Sequence, residues 1–191
     1  MALGPLDVLV AHHPWWVLGP VLVLAAVTGP LMQGWIIGPK LRTAATPKGP
    51  IVAWEKAGTE ARMTEILAAW GPNGRRLAGL SLRWDIPFLL AYGAAMSLVC
   101  SMAAKFYGAA RAPWGKWIFG VAAWAAVAAA ALDLVEDWYL WQTLRSFDGT
   151  RLRGGDAVPR RMVWFSSKKW ALIGIVAPLS VGALLVDLVR R

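Results

Sequence analysis

Charge is scarce in this chain. Of its 191 residues only 16% are Asp, Glu, Lys or Arg, while 58% are hydrophobic. An ordinary soluble domain carries roughly a quarter charged residues, so this composition is too apolar for that class. Cysteine is almost absent. Cys100 stands alone within an apolar run, which excludes an intramolecular disulfide and a thiolate metal site. The short motifs of common active sites are missing too: there is no HExxH, no P-loop, no GxGxxG and no nucleophile elbow. Met1–Trp16 holds no Lys or Arg and offers no convincing cleavage site. The first apolar run therefore reads as a retained helix rather than a secretory signal.

What is present is an alternation of long apolar runs and short basic stretches, the pattern of a polytopic helical membrane protein. About 20 apolar residues cover the hydrocarbon core. Four segments reach that length: about 15–37, 84–107, 114–141 and 170–189. The expected fold is all-α, one membrane domain over 1–191, a four-transmembrane-helix bundle. Gly29-Pro30 falls inside the first span and is expected to kink it, because proline removes a backbone donor and clashes with the preceding turn.

The net charge of +9 is explained by topology without invoking nucleic acid. Between Gly38 and Arg83 lie eight Lys or Arg, and between Thr143 and Lys169 lie seven; only five others exist. Fifteen against five places both long loops in the cytoplasm and both termini outside, in a bacterial inner membrane. The tryptophans agree. Trp15, Trp16, Trp114 and Trp117 would mark the outer interface, and Trp35, Trp84, Trp138, Trp141, Trp164 and Trp170 the inner one.

The first cytoplasmic loop has structure of its own. IVAWEKAGTEARMTEILAAW, within about 50–71, has helix-forming composition and ends at GPNG, a stop and turn signal. Lys56 with Glu60 and Arg62 with Glu65 are spaced to pair on a helix surface. Trp54, Ala57, Ala61 and Ala68 form one apolar side and Met63, Ile66, Leu67 and Trp70 another, as in an amphipathic helix between headgroups and the base of the bundle. In the third span, Ala122, Ala126 and Ala130 recur every four residues beside Ala125 and Ala129. Such a surface admits close approach by another helix, from this chain or from a partner.

The candidate site lies at the end of that span, in LDLVEDWYLW. Asp133, Glu136 and Asp137 share one helix face. A carboxylate facing lipid near the membrane centre costs about 2.5–3.5 kcal/mol, so the face is expected to turn inward. Arg83 and Asp85 open the second span and Lys169 opens the fourth, at matching depth. Tyr92 lies about two turns beyond Asp85, and Glu55 reaches the region from the loop. The cluster reads as a structural ion-pair network, as a binding or proton-handling site, or as charges solvated at the interface. His12 and His13 are a weak candidate for a metal, haem or pigment, with no second ligand at fitting spacing. No cofactor and no metal is expected.

The pieces WDIPFLLAY, LDLVED and KKW together resemble uncharacterised small bacterial membrane proteins with four helices. The resemblance covers most of the chain after about Gly49 and implies the four-span architecture. That group more often carries Asn at the position of Asp137, so this chain adds a charge. Three functions fit these observations. The first is a non-enzymatic accessory subunit that associates with lipids and with another membrane protein or with itself. The second is a small proton-coupled carrier working through the charged cluster. The third is an enzyme acting on a lipid headgroup.

Overall fold

The computed structural model describes residues 14–29, 35–109, 113–153 and 156–189. Among these residues there are five α-helices and no strand: α1 (Pro14–Gly29), α2 (Pro50–Glu55), α3 (Glu60–Ala109), α4 (Pro113–Ser146) and α5 (Ala157–Val189). A 3-10 turn spans Gly38–Leu41. Two helices, α3 and α4, are long and apolar enough to cross a membrane, and α1 holds a shorter apolar stretch, Leu18–Gly29.

The helix boundaries correct the sequence reading in several places. The expected first span to residue 37 is helical over 14–29; residues 30–34, which include the expected kink at Pro30, lie outside the described residues, and Ile37 heads the 3-10 turn. The loop over 50–71 is not one helix. Gly58, at φ +47°, separates α2 from α3, so the first apolar side is split: Trp54 lies on α2 and folds onto the second side, while Ala61 and Ala68 lie exposed on α3. Trp54 meets Trp70 edge to face at 5.3 Å, and both are buried with Met63, Ile66 and Leu67. The break also falls between Lys56 and Glu60, which form no ion pair, whereas Arg62 and Glu65 pair at 2.5 Å as their spacing predicts. The start of α3 is held from far along the chain: the Glu60 N–H donates to Asp156 Oδ1 at 2.6 Å, which satisfies one of the donors a helix start leaves open.

GPNG does not stop α3. Gly71 takes φ +62°, ψ −176°, a region open to glycine, and the helix resumes at once through Pro72. Proline suits a first turn because its missing N–H is not needed there. The second span is therefore continuous with a helix that begins three turns before Trp84. The third and fourth expected spans are likewise parts of longer helices, over 113–146 and 157–189.

The chain divides into two compact units. One comprises 1–25, 90–131 and 169–191; the other comprises 26–89 and 132–168. In the first, most buried residues are small: Cys100, Ala103, Ala104, Ala122, Ala123 and Ala126 cluster with Phe119 and Val176, and Ala95 packs with Leu18, Leu98 and Val99. A Cβ added at Gly93 would lie 2.7 Å from that of Ala130, so α3 and α4 pack here at a distance only glycine permits. The alanine surface of α4 is thus covered by this chain's own α3. In the second unit the core is built of large side chains, with Trp54, Trp70, Ile51, Ile66, Leu67, Leu140 and Met162 buried together.

Candidate functional site

The acidic stretch of α4 lies in the second unit, and there the helix is inverted relative to a water-exposed one. Asp133, Glu136 and Asp137 are buried, Glu136 to 1% exposure, while Leu134, Val135 and Trp138 between them are exposed. A spacing of three and four residues puts the acids on one side, and 3.6 residues per turn puts their neighbours on the other. α3 brings Asp85 to the same place: one carboxylate oxygen each from Asp85, Asp133 and Asp137 lie within 4.8 Å of one another. Three oxygen donors so disposed are the kind of set that a hard cation or a shared proton occupies.

The other expected members are distributed differently. Arg83 does not join the acids. Both residues reach α4, Asp85 at the acids and Arg83 one turn beyond them. Its guanidinium lies 5.7 Å from the Trp141 ring centre. Glu55 is buried at the end of α2, in the same unit as the acids. Lys169 and Tyr92 fall in the other unit. Both are buried, and Lys169 Nζ lies 5.3 Å from the Trp170 ring centre. His12 and His13 lie outside the described residues.

A second feature was not anticipated. A cavity of about 680 Å³ is lined by the start of α3 beyond Gly71 and by the last turns of α4, with Arg75, Arg76, Arg83 and Arg145 on its wall. Arg75 is held twice: Nη1 donates to the Leu67 carbonyl at 2.9 Å, across the break at Pro72, and the guanidinium lies 4.9 Å from the Phe147 ring centre. Arg145 lies 5.2 Å from the Trp141 ring centre, so that one indole carries both Arg83 and Arg145. The signal was in the sequence. With GPNG read as a kink, Arg75, Gly79 and Arg83 follow at four-residue spacing along one face, with Arg76 beside them.

Beyond α4, Asp148 organises the turn that closes on Leu152. Its Oδ1 accepts from the backbone N–H of Arg151 and of Thr150 at 3.0 Å, and from the Thr150 hydroxyl at 2.9 Å. These donors, the Arg151 amide foremost, lower the carboxyl from its ordinary 3.8 to about 2.

Comparisons with protein-family models, with curated proteins and with solved structures each gave no match.

Proposed function

We propose that this chain is a four-span integral membrane protein of a bacterial inner membrane, with its long basic loops in the cytoplasm, and that it works by binding other membrane components rather than by catalysis. The observation that carries the membrane reading is the inversion of the first unit. Most of its buried positions are Ala, Gly, Ser or Cys, with Leu18, Leu98, Val99, Phe119 and Val176 among them, while Leu90, Trp117, Val121, Trp124 and Ile175 are exposed. In water that arrangement leaves the driving force of folding unused, whereas in lipid it is what close helix packing requires. The binding reading draws on the arginine-lined cavity, whose lining holds no nucleophile and no carboxylate. Self-association or a partner protein has lost one motive, since α3 already covers the alanine face. The remaining motive is the tryptophan-rich exposed surface.

Topology is tested with single cysteines in a Cys100→Ser background. Lys56→Cys and Arg153→Cys are expected to react with a membrane-impermeant maleimide only after cells are opened, and Ala109→Cys in intact cells. Equal labelling of all three in intact cells rejects the threading, and recovery of the chain in the carbonate-washed supernatant rejects the membrane.

The triad Asp85, Asp133 and Asp137 favours a second reading, a proton-coupled carrier. Carboxylates this close repel one another, and a proton or cation taken up among them relieves the repulsion. On that reading Asp133→Asn abolishes proton flux in reconstituted vesicles while the chain still folds; flux equal to wild type removes it.

A further inference from the structure

We infer that the cavity between the start of α3 and the end of α4 is a receptor for a phosphate-bearing anion, supplied by the headgroup of an anionic phospholipid. The proposal rests on the membrane reading for the source of the ligand, and on the cavity alone for its chemistry.

Four guanidinium-bearing side chains, Arg75, Arg76, Arg83 and Arg145, surround one recess that no acidic residue lines. Carboxylates among the described residues pair with Arg62, Arg151, Arg153 and Arg160, and none pairs with Arg75, Arg76, Arg83 or Arg145. The carboxylates of the described residues therefore leave the cavity arginines uncompensated. A concave site lined by one sign of charge concentrates its field and draws in the opposite charge. The guanidinium fork matches phosphate oxygens in pairs, which a lysine ammonium does not.

The recess is also set up in advance. Arg75 is fixed by the Leu67 carbonyl and the Phe147 ring, and the Trp141 ring lies near both Arg83 and Arg145. Side chains already held lose less freedom when an anion arrives. Gly79 keeps the floor low. A Cβ there would make van der Waals contact with the Trp141 ring at 3.6 Å and Leu144 at 3.7 Å, so the glycine leaves that contact space open beside the arginines.

The walls decide between a lipid and a free phosphate. Leu77, Leu80 and Leu144 line the same cavity as the arginines, and Leu80 is exposed at 41%. Trp84, one turn further along α3, is exposed as well. A phosphodiester seated among the arginines would leave its glycerol and acyl chains against this apolar flank. Inorganic phosphate would use the arginines only.

The test uses the full chain purified in a neutral, phosphate-free detergent. Native mass spectrometry reads binding of dioleoylphosphatidylglycerol, with dioleoylphosphatidylcholine as the zwitterionic control and inorganic phosphate as the soluble competitor. The wild type is expected to hold one phosphatidylglycerol in preference to phosphatidylcholine, undisplaced by inorganic phosphate. Arg76→Gln/Arg83→Gln/Arg145→Gln should weaken that binding by about a hundredfold, as charge-assisted hydrogen bonds are lost. The matched variant Arg42→Gln/Lys48→Gln/Arg161→Gln removes the same charge elsewhere and should bind as wild type. The Lys-for-Arg triple variant keeps the charge and should lose about tenfold, because the paired geometry goes. Helical content and elution volume establish that each variant is folded. Should inorganic phosphate bind alone and displace the lipid, the source is soluble and the lipid assignment is overturned. Equal binding by wild type and the folded Gln variant, or equal loss in the matched variant, overturns the site itself. If the chain proves not to be membrane-bound, phosphate binding by the soluble protein still tests the arginine recess separately.

Discussion

The two compact units bury opposite things. The unit of 90–131 and its neighbours hides mostly alanine, cysteine and serine, with a few larger side chains such as Leu98 and Phe119, and presents Trp117, Val121 and Trp124 outward. The unit of 26–89 and 132–168 hides Trp54, Ile66, Leu67 and Trp70 and, around them, leaves Lys48, Lys56, Arg62 and Arg161 exposed. The second pattern is what water enforces, since large apolar side chains gain most from leaving it. The first is what lipid enforces, where hydrocarbon outside is as apolar as hydrocarbon inside and only close contact distinguishes them. On the proposed membrane reading, the two interiors answer to two solvents. The acidic end of α4 lies in the second unit yet keeps the first unit's inversion, with acids in and Leu134, Val135 and Trp138 out.

The sharpest way to break the comparison is to change size in each interior. Trp54→Ala should cost about 3–5 kcal/mol, since it removes a fully buried indole from a core of large side chains. In the other unit the same damage comes from adding a methyl group. Gly93→Ala should cost about 1–3 kcal/mol, because its Cβ would meet Ala130 at 2.7 Å and the clash outweighs the better helix propensity. Denaturation in one detergent, followed by helical content, reads both. A Gly93→Ala variant as stable as wild type would mean that the helices are not closely packed there.

A charge placed on the outside separates the units next. Val121→Lys, on an exposed apolar position, should reduce membrane insertion by about 2.5–3.5 kcal/mol if it lies mid-span. Ala61→Lys, exposed on the first turn of α3, should leave insertion unchanged. A glycosylation-based insertion assay compares them, and equal effects would erase the distinction.

The smallest expected effect is at Asp148. Its folded carboxyl is lowered to about 2, below the ordinary value, so its contribution is present above about pH 4 and is lost as pH falls through about 2. Asp148→Ala should speed hydrogen exchange at the Thr150 and Arg151 amides at neutral pH and leave the rest of the protein unchanged. Unaltered exchange at those two amides would show that the turn does not depend on the carboxylate.

The helical class and the inward turn of Asp133, Glu136 and Asp137 were legible in the sequence, because apolar run length and the three-to-four spacing are local properties. Asp85 was placed with the acids for the same reason. Arg83 reaches α4 one turn beyond the acids, at Trp141, a side-chain choice that depth along the helix does not resolve. GPNG was misread because Gly and Pro signal a stop and a kink alike. Which one occurs depends on whether the following residues resume helix, here from Pro72. That single misreading hid the arginine cavity, which exists only when Arg75, Arg76 and Arg83 share a continuous helix. The folding of Trp54 onto Trp70 was likewise out of reach, since it depends on a break at Gly58 that short spacing rules do not register.

The central claim is that the first unit's large exposed side chains face hydrocarbon. A spin label placed by Val121→Cys in a Cys100→Ser background, in lipid vesicles, measures it directly through collision with oxygen and with a water-soluble nickel chelate. The account predicts high oxygen and low nickel accessibility at 121, with the reverse at a label on Lys56→Cys. Nickel accessibility at 121 equal to that at 56 would contradict it.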